Sequence, residues 1–161
     1  MTACDRQGLF RALAWLPVVV VVLLAVGTRV AKLPAKSLWF DELYTLYVAQ
    51  QTPADLLRTL RDQDVHPPLH YLLLRGWMAI AGDSEAAVRA PSAAAGVATV
   101  VLVYLLGRRA GGRAVGLVAA LLQAVAPFAV WAEQQARMYP FLTLWVVAAS
   151  LLLARALEGG W

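Results

Sequence analysis

The sequence predicts an all-α, polytopic membrane protein with four transmembrane helices and a loop of short juxtamembrane interfacial helices. Hydrophobic residues make up 61% of the 161 positions, which is more than an ordinary soluble domain contains. They are concentrated in uncharged windows of about 17–19 residues, each long enough to cross a ~30 Å hydrocarbon core as a helix. These windows place the spans at about 12–28, 90–107, 114–132 and 138–156, in one module that covers 1–161.

The first window is interpreted as a retained membrane anchor. It follows Arg6 and Arg11, as the apolar part of a signal peptide would. However, no small-residue cleavage pattern comes after it, and Arg29 and Lys32 follow at once.

The net charge of +4 comes from basic residues that are spread over short loops. Such a distribution is typical of membrane topology signals, so we expect no nucleic-acid partner. The single cysteine, Cys4, has no second cysteine with which to form a disulfide or a thiolate metal site.

The loop between the first two spans, about 29–89, is predicted to contain short helices. Apolar residues at turn spacing indicate the first helix at 41–51. Thr52 is a suitable N-cap and is followed by proline in the first turn, which predicts a second helix to about Arg61.

A third segment, 69–81, decides the topology. It has about 13 residues, carries Arg75 at its centre and ends before Gly82, which is typical of an interfacial helix rather than of a span. The protein then has four spans, and the arginines of the short 108–113 loop lie on the same side as Arg155. That side is cytoplasmic by the positive-inside rule.

A five-span alternative is consistent with the same charges. If 69–81 crosses the membrane and the N-terminus lies outside, the bilayer separates Asp41 and His66 from Glu133 and Arg137. The two topologies therefore differ in whether the polar clusters can meet.

The second and third windows are predicted to pack closely. Small residues in the second window, among them Ser92 and Gly96, favour tight contacts between helices. The glycines and arginines of 107–113 predict a tight turn between the two spans.

Asp41 and Glu42 follow two aromatic residues in the first polar stretch after the first span. Placing two adjacent carboxylates near a bilayer costs free energy, so a catalytic role explains this pair better than a purely structural one. One is suited to act as a general base toward an acceptor hydroxyl, and its neighbour to orient that acceptor or hold a cation. The structural alternative is an acidic helix N-terminus, which the helix dipole favours.

Asp64 and His66 form a second polar cluster. The prolines that follow His66 fix the backbone and hold its imidazole in place, and Asp64 is positioned to orient that ring or bind the same ligand. If a divalent cation takes part, the candidate ligands are Asp41, Asp64 and His66, although no diagnostic metal-binding spacing is present. The structural alternative is a turn capped by polar side chains.

A third cluster contains Glu133, Arg137 and Tyr139, all candidates for substrate binding, where the third and fourth windows meet. In a helix, Glu133 and Arg137 would share a face and could simply pair. The functional interpretation is that Arg137 binds a phosphate through its planar, permanently charged guanidinium. Tyr139 either stacks on a ligand ring or lies in the aromatic belt. Arg89 is a weaker phosphate candidate, and the alternative is that it anchors the start of a span.

Four elements, in this order, resemble the membrane-embedded GT-C superfamily of glycosyltransferases. The resemblance is to bacterial relatives of the protein O-mannosyltransferases and of the aminoarabinose transferases that modify lipid A, and to the N-terminal portion of such a module. The elements are Trp39-Phe40-Asp41-Glu42, Asp64-x-His66-Pro67-Pro68-Leu69-x-Tyr71, Arg89-x-Pro91-Ser92 and Glu133-x-x-x-Arg137-x-Tyr139.

The resemblance implies transfer of a sugar from a polyprenyl-phosphate donor to an acceptor hydroxyl, with inversion, at the extracytoplasmic face of the cell membrane. By this resemblance Asp41 is the catalytic base. Glu42 and Asp64 position the acceptor or a cation, and Arg137 and His66 face the donor phosphate. It also implies that the loop helices lie along the membrane surface, which favours four spans.

Two alternatives to a complete enzyme follow from how the chain departs from the superfamily. Its members usually have more spans, and Glu133 lies one place further from Arg137 than in the superfamily pattern. The first alternative is a truncated, non-catalytic fragment, or a subunit that needs a partner chain for the remaining spans. The second is a small transport or binding protein, which charges inside a span would favour; the windows contain none.

Overall fold

The computed structural model describes residues 3–63 and 66–158, with side chains placed at 14–63 and 66–157. Within these ranges the chain forms helices and no strands, so the predicted all-α class is confirmed. Asp64, one of the predicted site residues, lies outside them. The helices are α1 (Ala3–Val30), α2 (Phe40–Gln50), α3 (Pro53–Gln63), α4 (Leu69–Ala81), α5 (Glu85–Val125), α6 (Pro127–Glu133) and α7 (Tyr139–Glu158).

Helix α5 is a hairpin rather than one straight rod. Its backbone leaves the helical conformation at Gly111 (φ −150°) and Gly112 (φ 83°), and glycine adopts such a positive φ without steric cost. The two arms touch, because a Cβ atom placed on Gly116 would lie 2.6 Å from the carbonyl oxygen of Tyr104. The predicted tight turn between the second and third windows is therefore present.

Helix α1 packs against both arms of α5. The contact forms an apolar core in which small side chains allow the helices to approach closely. Its buried residues are Val21, Ala25, Val100, Tyr104, Ala120 and Ala124.

Two of the described helices are long and apolar enough to cross a membrane. They are α5 and the Tyr139–Leu157 part of α7, whereas the apolar part of α1, Ala14–Val30, is shorter. Only 11% of the apolar window of α7 is buried. Its hydrophobic side chains therefore face outward, as on a helix that contacts lipid and unlike the core helix of a soluble protein. The division of the chain into four spans stays a prediction.

The predicted span at 114–132 is divided between two helices. Helix α5 ends at Val125, and Pro127 begins the separate helix α6. Ala126 between them has φ −60° and ψ 116°, because the ring of a following proline disfavours the helical conformation. Helix α6, which carries Glu133 at its end, therefore does not continue the helical path of α5.

The three predicted loop helices are confirmed as α2, α3 and α4. The Oγ1 atom of Thr52 accepts a hydrogen bond from the backbone N–H of Asp55 (3.2 Å), which caps α3 as predicted. Helix α4 ends at Gly82, which has φ 80°. The guanidinium of Arg75 donates to the carbonyl of Ala49 (3.3 Å) and so holds α4 against the end of α2.

Candidate active site

Asp41 and Arg137 meet where α2 approaches the turn between α6 and α7. The Nη2 atom of Arg137 lies 3.9 Å from Oδ2 of Asp41. Its Nη1 donates to the carbonyl of Asp41 and to Oγ1 of Thr45, each at 3.2 Å. The Arg137 side chain is 6% exposed and the Asp41 side chain 39% exposed, so the carboxylate is open to a ligand while the cation beside it is fixed.

This contact excludes the five-span arrangement described above. A bilayer cannot lie between Asp41 and Arg137 when the two residues share hydrogen bonds. Tyr139 belongs to the same group, because the guanidinium carbon of Arg137 is 5.6 Å from the centre of its ring, within cation–π range.

Glu42, beside Asp41 in the chain, is fully buried and paired with Arg89. The Nε and Nη2 atoms of Arg89 donate to its carboxylate at 2.8 and 2.7 Å. The backbone N–H of Ala136 donates to the same carboxylate at 2.9 Å. With 0% of its surface exposed, Glu42 offers no atom to a substrate in this structure and instead joins α2 to α5 and to the α6–α7 turn.

Arg89 is committed to the protein rather than open to a phosphate. Besides binding Glu42, its Nη1 donates to the carbonyls of Leu33 (2.7 Å) and Lys36 (2.8 Å), and its Nη2 to that of Ser37 (3.3 Å). Of the two interpretations of Arg89, the structure therefore supports the anchoring one.

Glu133 pairs with Arg29 and not with Arg137, so the structural alternative, an i, i+4 pair of Glu133 with Arg137, is not formed. The Nη2 atom of Arg29 lies 2.6 Å from Oε2 of Glu133, and both side chains are buried. Helix α6 ends at Glu133, so the residues that follow do not continue the face on which the predicted pair depends. Gln123 also donates to Glu133, at 3.3 Å.

Sequence reasoning did not identify the Arg29–Glu133 pair, nor the space that accommodates it. A Cβ atom on Gly96 would lie 2.5 Å from Cδ of Glu133. The small-residue pattern around Gly96 was the available signal, but it indicated a helix contact rather than a niche for a carboxylate.

His66 lies half-exposed in the segment just before α4. No group of three or more histidine, cysteine or acidic side chains in the described part of the chain could hold a metal ion. Asp64, one of the three proposed cation ligands, is not in that part, and the cation stays a prediction.

His70 is a residue near the site that the sequence did not single out. It is 7% exposed and packs against the rings of Tyr71 and Phe141, at centroid distances of 5.8 and 5.5 Å. Burial lowers the pKa of its imidazole from 6.5 to about 4, and the charge of Arg137 adds to the lowering. The nearby backbone of Ala136 opposes this in part.

The neutral state of His70 predicts a pH-dependent stability. Because its pKa is lower in the folded than in the unfolded chain, the unfolded state takes up the extra proton as the pH falls from 6.5 to 4. The free energy of unfolding should fall across this window by up to about 3 kcal/mol. Unfolding in detergent between pH 7.5 and 4.5 measures it, and His70→Phe should lose this part of the dependence. Equal pH profiles for both proteins would contradict the prediction, since contributions of the carboxylates cancel in the comparison.

Two clefts flank the turn, 134–138, that joins α6 to α7. The first, called the apolar groove, has a volume of about 260 Å³ and lies between α4 and α7. The second, called the loop pocket, has a volume of about 250 Å³ and lies between the end of α1, the start of α2 and α6. The groove is lined by His70, Leu73, Tyr139, Phe141, Leu142 and Trp145, among others. The pocket is lined by Lys32, Lys36, Trp39, Trp131, Gln134 and Gln135, above the buried Glu42–Arg89 pair.

The chain matches the sequence model of a known protein family. The family model described as dolichyl-phosphate-mannose-protein mannosyltransferase matches residues 65–161, which is more than half of the chain. The match includes His66, Arg89, Glu133, Arg137 and Tyr139, and it confirms the resemblance to membrane glycosyltransferases. No curated protein and no solved structure shows significant similarity to the chain.

Proposed function

We propose a specific sugar transfer for this chain, which belongs to the dolichyl-phosphate-mannose-protein mannosyltransferase family. Family membership supports a membrane-bound, mannosyltransferase-like glycosyltransferase. Beyond this, the proposed reaction moves a sugar from a polyprenyl-phosphate donor to an acceptor hydroxyl, with inversion, at the extracytoplasmic face of the plasma membrane.

The observation that carries the proposal is the Asp41–Arg137 pair beside the apolar groove. Arg137 is followed directly in the chain by Met138 and Tyr139, which line the groove. A phosphate held by Arg137 would therefore have its lipid tail next to an apolar surface. A groove of this kind lets the tail stay in the membrane while the sugar reaches water.

In the proposed reaction, the Asp41 carboxylate takes the proton of the acceptor hydroxyl as the hydroxyl oxygen bonds to the anomeric carbon. The bond from that carbon to the phosphate oxygen breaks at the same time, on the opposite face, which inverts the anomeric centre. Arg137 neutralises the negative charge on the departing polyprenyl phosphate.

The other predicted site residues take supporting roles in this proposal. Glu42, being buried against Arg89, holds the first turn of α2 and so positions Asp41. Glu133 acts through Arg29 by fixing the end of α6. His66 and Asp64 precede α4 in the chain and are proposed to contact the substrates. His66 faces the donor phosphate, and Asp64 positions the acceptor or a cation.

The topology is part of the proposal. The chain crosses the plasma membrane four times, α2, α3 and α4 lie along its outer surface, and the Asp41–Arg137 pair faces the extracytoplasmic side. The apolar outward face of α7 supports this placement, as does the concentration of basic residues at 108–113, in the turn of the α5 hairpin. A partner chain could supply further spans against α7.

The Asp41→Asn variant tests the mechanism. Transfer should fall by about 10²–10⁴-fold, because an amide cannot accept the proton. The measurement is transfer of labelled sugar from polyprenyl-phosphate-linked donors in membranes that contain the full gene product. Asp55→Asn is the matched control, since Asp55 is an exposed carboxylate on α3.

Asp41→Asn is expected to stay folded, because Arg137 bonds to the backbone carbonyl of Asp41 as well as facing its carboxylate. Thermal unfolding of both variants checks this. Transfer at the control rate by a folded Asp41→Asn protein would overturn the assignment of the base.

A further inference from the structure

The loop pocket is built on a short basic segment, 31–38, called here the basic loop. Its two lysines, Lys32 and Lys36, are exposed and line the pocket. In the described part of the chain, no acidic side chain forms an ion pair with either of them. Two cations that line one pocket and have no ion-pair partner attract an anion.

The basic loop is held in place from both sides, which is unusual for an exposed connection. Three of its carbonyls, those of Leu33, Lys36 and Ser37, accept hydrogen bonds from Arg89. On the other side, Nε2 of Gln134 donates to the carbonyls of Thr28 and Ala31 at 2.7 and 2.8 Å. A ligand that binds the lysines would therefore lose less affinity to ordering of the loop.

Lys32 has an unfavourable backbone conformation. Its φ is 73°, and no other non-glycine residue in the described ranges has a positive φ. It follows the end of α1, at a position where glycine is the usual residue because it carries no Cβ. The chain therefore places a lysine side chain at the pocket where glycine would favour the fold, and backbone strain of this kind is commonly associated with binding sites.

The remaining walls of the pocket suit a sugar ring. Trp39 and Trp131 line the pocket and are 44% and 53% exposed, and indole rings are suited to packing against the C–H face of a saccharide. The amide of Gln135 and the amide oxygen of Gln134 are groups of the kind that bond to hydroxyls; Nε2 of Gln134 already donates to the carbonyls of Thr28 and Ala31. Two lysines, two tryptophans and two amides in one cleft combine affinity for negative charge with affinity for a ring.

We propose that the loop pocket binds an anionic saccharide, meaning a sugar ring that carries a phosphate or a carboxylate. Resting on the proposed function, this saccharide is the acceptor. Residues of the turn that carries Arg137 line both clefts, Met138 in the apolar groove and Gln134 and Gln135 in the loop pocket. A donor in the groove and an acceptor in the pocket would thus both lie next to that turn.

The test measures binding rather than transfer. The full gene product, in nanodiscs of zwitterionic lipid, is titrated calorimetrically with hexose 6-phosphates, hexuronic acids, the neutral methyl hexosides and inorganic phosphate. At least one anionic saccharide should bind about tenfold or more tightly than its neutral counterpart and than inorganic phosphate. Similar affinities for inorganic phosphate and for every anionic saccharide would overturn the proposal, since they would mean an unspecific anion site.

Lys32→Gly is the most discriminating variant. It removes the charge and relieves the positive φ, so affinity should fall about tenfold or more while the melting temperature stays the same or rises. Lys36→Ala should weaken binding similarly, and Arg58→Ala, at an exposed arginine outside the pocket, should leave it unchanged. Unchanged affinity in the folded Lys32→Gly and Lys36→Ala proteins would rule the pocket out.

Two further measurements distinguish this proposal from the catalytic proposal and from a membrane-surface role of the lysines. The lysine variants are judged by saccharide binding and Asp41→Asn by sugar transfer, so failure of the catalytic proposal is distinguishable from failure of this one. Vesicles of phosphatidylglycerol test whether the lysines instead contact the membrane surface. Lysine-dependent vesicle binding together with no saccharide binding would replace the proposal with that role.

Discussion

Replacing Glu42 by glutamine is expected to lower the free energy of unfolding by about 3–5 kcal/mol, because it leaves the guanidinium of Arg89 buried without its counter-charge. The amide keeps the size of the carboxylate, so packing does not explain the loss. Glu42 is fully buried, and its pair with Arg89 is 2.7 Å long. Chemical unfolding of the two proteins in detergent measures the difference.

The control for this variant is the same chemical change at the surface. Asp55 pairs with Arg58 at 3.4 Å, with side chains that are 56% and 73% exposed. Asp55→Asn should therefore change stability by less than about 1 kcal/mol. Removing both charges, in a Glu42→Gln/Arg89→Gln protein, should restore part of the loss. If Glu42→Gln is as stable as Asp55→Asn, the buried pair does not hold the site together.

Adding one methyl group at Gly96 is expected to destabilise the protein by about 1–3 kcal/mol from overpacking alone. The new Cβ would lie 2.5 Å from Cδ of Glu133. Glu133 cannot simply move away, since Arg29 holds it at 2.6 Å and Gln123 at 3.3 Å. Thermal unfolding of Gly96→Ala measures the effect.

The same substitution at Gly76, Gly76→Ala, is expected not to destabilise the protein. Gly76 lies inside α4, and a Cβ there meets no atom within 4 Å. Stability should stay the same or rise by up to about 1 kcal/mol, because alanine favours the helix over glycine. In Gly96→Ala, the additional change Glu133→Asp shortens the side chain and should recover stability. A Gly96→Ala protein that behaves like Gly76→Ala would show that the carboxylate is not confined.

The sequence was sufficient for features that depend on neighbouring residues. Helix α2 was predictable from the helical spacing of its apolar residues, α3 from the proline in its first turn, and α4 from the prolines before it and the glycine after it. The turn at Gly111 and Gly112 carries the same local signal. The break at Ala126 was also visible, as Pro127, but a hydropathy window measures composition and does not register a change of backbone direction.

Pairing between distant residues was not predictable, and it determines most of the site. The sequence placed Glu133 beside Arg137, whereas the structure pairs it with Arg29. Which arginine meets which carboxylate depends on how α1, α5 and α6 are rotated against one another, and one sequence does not contain that information. For Asp41 and Arg137, the sequence predicted only that their clusters lie on the same side of the membrane, and not that the two residues are in contact.

Arg29 is synthesised long before Glu133, and this order constrains how the chain is assembled. Under the proposed topology, Arg29 in the last turn of α1 has no carboxylate partner when α1 first enters the bilayer, so it must stay in contact with water or lipid headgroups. It becomes fully buried only after the α5 hairpin has inserted and α6 has followed. During biosynthesis, closing of this pair would therefore mark the packing of α6 against α1, before α7 is added, and a ribosome-bound chain shorter than 133 residues should leave Arg29 accessible to water.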